Sequence, residues 1–219
     1  MSDSIRDLLD EQVAYYRARA AEYDATSTPD GNPFARHDKA IRLALASLDL
    51  RGRVLELAAG TGQWTGMLAD TADELLVTDA SPEMLELNRA KLGERGAIYR
   101  VADVFSLEAA HAHDVVFFGF FLSHVPPGRF EAFWSLVDGL LAPTGRAVFV
   151  DEGVHFEWRE DWIDGEAGIV RRTLQDGSVH RAAKVLWRPE ELEQRLFALG
   201  WSASVSAEGP FYWGTAATS

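Results

Sequence analysis

The chain contains no cysteine. This absence excludes disulfide bonds, thiolate zinc sites and cysteine nucleophiles. Cations are also scarce, since 21 Lys and Arg face 34 Asp and Glu and the formal net charge is −13. Nucleic-acid binding needs a cationic surface, and the nearest approach to a basic run is Arg171-Arg172. We therefore expect no nucleic-acid partner. An acidic surface is compatible with a neutral or cationic small-molecule ligand, but it equally serves only to keep a protein soluble.

Long apolar runs are missing too. No run approaches the ~20 residues needed to span a bilayer, and the segment from Met1 to Asp10 is polar and acidic, unlike a signal peptide. We expect a cytoplasmic protein without membrane association, either a monomer or a homodimer. Hydrophobic residues are plentiful, at 47% of 219 positions, with 12 Phe and 7 Trp. That composition supports a large core in a single domain, residues 1–219.

The middle of the chain alternates between predicted strands and helices. Strands are expected near 52–57, 74–79, 97–102, 113–119 and 145–151. Helices are expected near 62–71, 82–92 and 127–141, the second starting at Ser81-Pro82. Such alternation implies an α/β fold with a parallel, right-handed, doubly wound sheet.

The two ends of the chain follow other patterns. Amphipathic helices are predicted at 4–24 and 36–49, separated by a loop at 26–33. After residue 151 we expect a short helix or loop at 156–166, a hairpin of 170–174 and 179–187, a helix at 189–199, and two final strands around Gly209-Pro210. Asp176-Gly177 between apolar runs is the hairpin signal.

The segment from Val54 to Trp64 predicts a buried strand that runs through Glu56 into a glycine turn and then a helix. Gly60 and Gly62 permit positive φ and let a ligand lie against the backbone. Open α/β sheets bind nucleoside-like ligands at such corners. The dinucleotide fingerprint would need a third glycine where Thr65 stands, so NAD is disfavoured. The alternative is a turn that only packs strand on helix.

The pattern Glu56-x-Ala58-x-Gly60-x-Gly62 resembles motif I of the class I S-adenosylmethionine (SAM) dependent methyltransferases, in particular the bacterial small-molecule type. Ala58 stands where that motif usually has glycine. The resemblance implies a Rossmann-like methyltransferase fold with a mostly parallel seven-stranded sheet and a C-terminal hairpin insertion. It divides the chain into lid helices (1–50), a cofactor-binding core (51–152) and a substrate-side part with the last strands (153–219). SAM is then the cofactor and S-adenosylhomocysteine (SAH) the product.

Further acids follow the predicted strands. Asp79 would accept hydrogen bonds from the ribose hydroxyls, or would serve only as a turn residue or helix cap. Asp103 would meet the adenine amino group and the N–H of Val104 a ring nitrogen, or Asp103 would cap a short 105–110 helix. The resemblance places the cofactor against Tyr16, Glu56, Ala58, Gly60, Gly62, Trp64, Asp79, Ala80, Met84, Ala102, Asp103, Val104, Gly119 and Phe120.

The segment after the fourth strand carries the catalytic candidate. His124 would lie near the transferred methyl group and take a proton from the acceptor, or would only pack and bond the backbone. Gly119 stands where the metal-dependent catechol type tends to have an aspartate, so no catalytic metal is expected. Tyr16, in the lid helix, would touch SAM or the substrate, or belong to the core.

The predicted reaction is in-line displacement by an O, N or C nucleophile of a small molecule, assisted mainly by orientation and exclusion of water. The aromatic residues around 117–134 and 156–162 hint at an aromatic or lipophilic acceptor, although they suit a core equally. Two other functions stay open at this point: an NAD-dependent oxidoreductase and a SAM-binding protein without catalysis.

Overall fold

The computed structural model describes residues 3–27, 33–93 and 95–218. Most of the loop predicted at 26–33 lies outside the described residues, because 28–32 are not among them. The α-helices are α1 (Asp3–Arg19), α2 (Tyr23–Ser27), α3 (Ala35–Ala46), α4 (Thr65–Ala69), α5 (Pro82–Leu92), α6 (Phe130–Leu140) and α7 (Pro189–Ala198). The strands are β1 (Arg53–Leu57), β2 (Glu74–Asp79), β3 (Ile98–Val101), β4 (His113–Gly119), β5 (Leu141–Glu152), β6 (Asp161–Asp164), β7 (Ile169–Thr173), β8 (Val179–Ala183), β9 (Trp201–Glu208) and β10 (Phe211–Thr218).

Seven strands form the main sheet, in the order β3-β2-β1-β4-β5-β10-β9. The first five are parallel, and β10 runs antiparallel to both β5 and β9. The predicted doubly wound, mostly parallel α/β fold is therefore confirmed. The strand order reverses beside β1, which lies between β2 and β4. Sheets of this kind bind ligands in the crevice at that point, outside the carboxyl ends of the strands.

Local sequence explains several element boundaries. Ser81 accepts a hydrogen bond from the N–H of Met84 at 3.1 Å and Pro82 follows, so α5 begins where the sequence predicts. By contrast, α4 begins at Thr65 rather than at 62, because Gly60 and Gly62 have φ of 54° and 89° and extend the turn.

The predicted hairpin is present as β7 and β8, with Gly177 at φ 84° in the turn between them. The prediction for 156–166 was wrong in part. A short 3₁₀ helix covers Val154–Arg159, but β6 follows it and pairs with β7 in a separate three-stranded sheet. Residues 184–187, expected in the hairpin, lie outside β8.

The core lies on both faces of the main sheet. Phe117 and Phe118 are adjacent in β4, and both are fully buried. Phe117 packs with Trp64 on one face, and Phe118 packs with Trp134 and Phe149 on the other. Successive side chains of a strand point to opposite faces, so one apolar run serves two layers.

Helix α1 is fastened to the small sheet and to the loop after β4. The buried side-chain amide of Gln12 donates to the carbonyl of His124 at 3.2 Å and accepts from the N–H of Ala183 at 2.9 Å. Glu11 binds Arg181 through an ion pair at 2.8 Å. These contacts hold α1 above the carboxyl ends of the parallel strands.

Two features are absent from the described residues. None of the described helices combines the length and apolar character needed to cross a membrane. In the described part of the chain, no group of three or more His, Asp or Glu side chains is placed to hold a metal ion.

Candidate active site

The turn after β1 and the acid after β2 form one hydrogen-bonded unit. Oδ2 of Asp79 accepts from the N–H of Gly60 at 2.8 Å, and Oδ1 accepts from the N–H of Ser81 at 2.8 Å. Burial raises the pKa of the Asp79 carboxyl, and the backbone N–H groups of Ser81 and Gly60 oppose that rise. Each carboxylate oxygen keeps a second lone pair for a hydroxyl donor.

The backbone of this turn suits a bound ligand. A Cβ added to Gly60 would meet no atom within 4 Å, so open space lies beside it. Ala58, which stands where the resembling motif usually has glycine, has φ of 49°. That conformation costs an alanine roughly 1–2 kcal/mol. The turn therefore keeps the shape of a glycine motif despite the alanine.

A first cavity opens above this turn, at the carboxyl ends of β1 to β4. It contains most of the predicted site residues: Tyr16, Ala58, Gly60, Trp64, Asp79, Ala80, Met84, Asp103, Val104, Gly119, Phe120 and His124. Residues that sequence reasoning did not select also line it, including Gln12, Val13, Tyr23 and Phe121. Tyr23 follows Tyr16 at helical spacing on the same face of the amphipathic helix predicted at 4–24, and this spacing was the available signal. Nothing in the sequence signalled Phe121.

Three predicted residues lie elsewhere. Glu56 is 1% exposed and does not line the first cavity. Burial raises the pKa of its carboxyl to about 8, so Glu56 is mostly neutral at pH 7. Gly62 faces the second cavity described below, and a Cβ there would lie 2.8 Å from the amide of Asn88. Ala102 donates its N–H to the carbonyl of Asp79 at 2.9 Å.

The cavity and capping roles of Asp103 are compatible, although the helix predicted at 105–110 is only a 3₁₀ turn over Val104–Ser106. Asp103 lines the first cavity, and it also caps a 3₁₀ turn by accepting from the N–H of Phe105 at 3.1 Å. Met84 also lines the cavity, although it is only 2% exposed.

Gly119 permits the close approach of Trp64, since a Cβ on Gly119 would lie 2.5 Å from the indole ring.

His124 lies between two hydrogen-bond partners. Nδ1 is 2.9 Å from the carbonyl oxygen of Ala183, and Nε2 is 2.8 Å from Oη of Tyr16. Burial, together with the charges of Lys184 and Arg172, lowers the pKa of His124 well below its usual value. Burial also raises the pKa of the Tyr16 hydroxyl well above 10. Both side chains are therefore neutral at physiological pH.

A second cavity shares a wall with the first. The residues common to both are Tyr16, Tyr23, Thr61, Gln63, Phe120 and His124. The remaining lining of the second cavity contains six cations: Arg19, Arg42, Lys91, Arg159, Arg172 and Lys184. This concentration of positive charge contrasts with the net charge of −13 on the whole chain.

Four of these cations are paired with carboxylates. The pairs are Arg172–Glu160 at 2.5 Å, Lys184–Glu152 at 2.6 Å, Arg42–Asp38 at 2.9 Å and Lys91–Asp24 at 2.5 Å. Arg19 instead donates to the hydroxyls of Thr26 and Ser27, and Arg159 lies over the ring of Phe156. Among the described residues, neither has an ion-pair partner. The lining thus carries a positive excess, which does not match a cationic substrate.

Two buried side chains hydrogen-bond to the residue that precedes His124. Asp151, fully buried at the end of β5, accepts from the N–H of Ser123 at 2.8 Å. Nζ of Lys184 donates to the hydroxyl of Ser123 at 3.2 Å. A buried acid and a buried lysine, from elements far apart in sequence, therefore fix the position of the His124 backbone.

Comparisons with known proteins agree with this geometry. The family described as "Methyltransferase domain" matches residues 54–145. Among solved structures, DhpI in complex with SAH is 41% identical, with 96% of this chain and 97% of that chain covered and a TM-score of 0.82. DhpI in complex with SAM and HEP is 42% identical over the same shares, with a TM-score of 0.83. No curated protein matches the chain.

A more distant structure shares the fold alone. The 1,6-didemethyltoxoflavin-N1-methyltransferase of Burkholderia thailandensis is 17% identical over 98% of this chain and 90% of that chain, with a TM-score of 0.65. The near relatives hold SAM or its product, which fits the open turn at Gly60 and the acid at Asp79. The NAD-dependent alternative has no comparable support. This chain therefore belongs to the SAM-dependent methyltransferases, with S-adenosylmethionine as its cofactor.

Proposed function

We propose that the chain transfers the methyl group of SAM to a small-molecule acceptor that binds in the second cavity. The observation that carries this proposal is the shared wall of the two cavities, formed around Tyr16, Phe120 and His124. A nucleophile in the second cavity would meet the methyl group at this wall. The relative DhpI has been solved with SAM and HEP together, so that protein holds a second ligand as well as the cofactor, which supports the proposal.

Within the first cavity, the cofactor roles expected from the resemblance remain our proposal. Asp79 would bind the ribose hydroxyls, while Asp103 and the backbone of Val104 would bind the adenine. Gly119 and Phe120 would lie beside the methionine part. When bound, SAM supplies an electrophilic methyl group on a sulfonium, and the residues of this chain supply orientation and exclusion of water.

The acceptor carries a negative charge in this proposal. Arg19 and Arg159 are left without carboxylate partners among the described residues, and Arg172 and Lys184 lie in the same lining. An anionic group would balance that excess, because opposite charges in a partly enclosed site attract more strongly than in bulk water. The positive lining is a better guide to the acceptor than the acidic surface.

Two measurements test the proposed function. Calorimetry with SAM, SAH and NAD should show binding of the first two and none of the third. Incubation with SAM labelled in its methyl group should then transfer label to anionic small molecules and not to a peptide or an oligonucleotide. Absence of transfer to every small molecule, despite binding of SAM, would contradict the proposal.

A further inference from the structure

Both ring nitrogens of His124 are engaged in hydrogen bonds, so neither is free to take a proton from the methyl acceptor. The carbonyl of Ala183 can only accept, so Nδ1, 2.9 Å away, must carry the ring proton. In a neutral ring, Nε2 then has a single lone pair. The hydroxyl of Tyr16, 2.8 Å away, donates to that lone pair. The ring is therefore fixed in one tautomer with both nitrogens occupied.

The charges around His124 also oppose its protonation. Tyr16 and Arg19 face the ring from α1, Arg172 faces it from β7, and Lys184 follows β8. Nδ1 binds a carbonyl, not a carboxylate that would stabilise an imidazolium. A general base works best with a pKa near the operating pH, and this environment favours the neutral ring. His124 is poorly suited to remove a proton from the acceptor.

The same cations have the opposite effect on an acidic ligand. Positive charges within a few ångströms favour the ionised form of an acid. Glu160 and Glu152 already balance Arg172 and Lys184, so the uncompensated charges among the described residues of the lining are those of Arg19 and Arg159. An acid bound beside these two arginines would therefore arrive at the methyl group as an oxyanion. Such an oxygen already has the lone pair needed for attack.

Resting on the proposed function, we propose that the acceptor is an oxyanion whose ionised oxygen is itself methylated, and that His124 is a positioning residue for Tyr16. A lone pair of the oxygen forms the O–CH₃ bond while the C–S bond breaks and its electron pair goes to sulfur. The negative charge on oxygen and the positive charge on sulfur cancel, so no proton is released. The products are SAH and a methyl ester. The positioning role of His124 replaces the role of general base that was expected from the sequence.

Counting protons tests the proposal directly. The whole chain is incubated with labelled SAM at pH 8.5 in a weakly buffered indicator solution, against an enzyme-free blank. The acidic probes are propanoate, ethyl phosphate, ethylphosphonate and benzoate, and the proton-bearing probes are ethanol, phenol and ethylamine. We expect label in acidic probes only. No proton should be released per methyl group from the carboxylates, and ethylphosphonate should release only the fraction of a proton that its free monoanion still carries at this pH. The favoured acid distinguishes a planar from a tetrahedral oxyanion.

The two proposals fail in different ways in this experiment. Transfer to an alcohol, phenol or amine, with about one proton released per methyl group, overturns the oxyanion proposal and leaves the proposed function intact. Transfer to no probe at all overturns both. Transfer to a carboxylate accompanied by about one proton released per methyl group at this pH also contradicts the oxyanion proposal.

Substitution of His124 separates positioning from proton transfer. In His124→Gln, the amide can donate to Ala183 and accept from Tyr16, but it cannot carry a proton at neutral pH. We expect this variant to lose less than about tenfold in kcat. His124→Ala should lose more in kcat/KM, mainly because the KM of the acceptor rises. A general base would instead cost about 10²–10⁴-fold in His124→Gln. A loss of that size would overturn the positioning role.

Two further readouts are independent of the size of that loss. In the pH profile of kcat/KM, the fall toward acidic pH should shift with the pKa of the acceptor when propanoate is exchanged for ethylphosphonate. The same fall should be present in His124→Gln. In the protein without ligands, nitrogen NMR of labelled histidine, assigned with that variant, should show a ring that is neutral and protonated at Nδ1, and that stays neutral at pH values where a free histidine becomes charged. Titration of this ring near pH 6.5 would count against the proposal.

Discussion

The backbone N–H of Gly60 donates a hydrogen bond to the carboxylate of Asp79 at 2.8 Å. The glycine turn after β1 and the acid after β2 are therefore held as one unit at the centre of the sheet. Both belong to the part of the chain that the methyltransferase family matches. Three predictions follow from this geometry and from the two cavities, and a fourth follows from the burial of Glu56.

Replacement of Asp79 should weaken SAM binding. In Asp79→Ala the proposed partner of the ribose is lost and the N–H of Gly60 loses its acceptor. Hydrogen bonds to charged groups contribute about 1.5–3 kcal/mol, so calorimetry should show Kd for SAM raised by about 10–100-fold. Glu131→Ala, at an exposed position on α6, is the matched control and should bind SAM normally. A Kd within twofold of the wild type in Asp79→Ala would refute the ribose assignment.

Loss of the unpaired arginines should affect the acceptor and not the cofactor. Arg19 and Arg159 line the second cavity only. In Arg19→Gln and Arg159→Gln, steady-state kinetics should show KM for an anionic acceptor raised by about 5–20-fold, with Kd for SAM unchanged. The control is Arg188→Gln, an exposed arginine that lines neither cavity. If these variants raised KM for the acceptor and Kd for SAM equally, or changed neither, the result would argue against an anion site in the second cavity.

Addition of one methyl group at Gly119 should disturb the first cavity. A Cβ there would lie 2.5 Å from the indole of Trp64, which is 3% exposed and has little room to move. Overpacking of this kind costs about 1–3 kcal/mol, so Gly119→Ala should lower the thermal midpoint and weaken SAM binding. Gly96→Ala has open space around the added carbon and should change neither property. A normal midpoint in Gly119→Ala would contradict the tight packing.

The burial of Glu56 makes stability depend on pH. Its pKa rises from 4.5 to about 8 in the folded chain. Between these values the folded state holds the proton and the unfolded state has lost it, so stability falls as pH rises. The free energy of unfolding should decline by up to about 1.4 kcal/mol per pH unit in this window.

Urea denaturation of the wild type and Glu56→Gln at pH 5, 6, 7, 8 and 9 measures this effect. The glutamine variant has no proton to lose at this position, so its profile should be flatter than that of the wild type. Its advantage over the wild type should grow steadily up to about pH 8 and then level off. Parallel profiles would mean that Glu56 is ionised in the folded protein.

Much of the site could be predicted because its signals are local. The glycine turn, the acids that follow β2 and β3, and the cap at Ser81 each depend on residues within a few positions of one another. Parallel strands then bring their carboxyl ends to one edge, so short motifs separated by about 25 residues meet. The roles of these residues toward the cofactor stay predictions until they are measured.

Other features have no local signal. The strand β6 forms because Asp161–Asp164 finds β7 as its partner, and its own four residues do not specify an extended structure. Glu56 looks like a free acid in the sequence, but the sheet buries it. The net charge of the chain indicated a neutral or cationic ligand rather than an anionic one. Net charge sums over the whole surface, whereas the few residues that line a cavity can carry the opposite sign.

The sequence by itself determined the sheet, the glycine turn and the cofactor family, because periodicity and turn chemistry act over short stretches of chain. Only the tertiary structure decided the tautomer of His124 and the sign of charge in the second cavity. Tyr16 reaches His124 across 108 residues, and Lys184 reaches Glu152 across 32. Such contacts depend on how α1 and the small sheet pack over the main sheet, and burial then sets the charge state of each group they bring together.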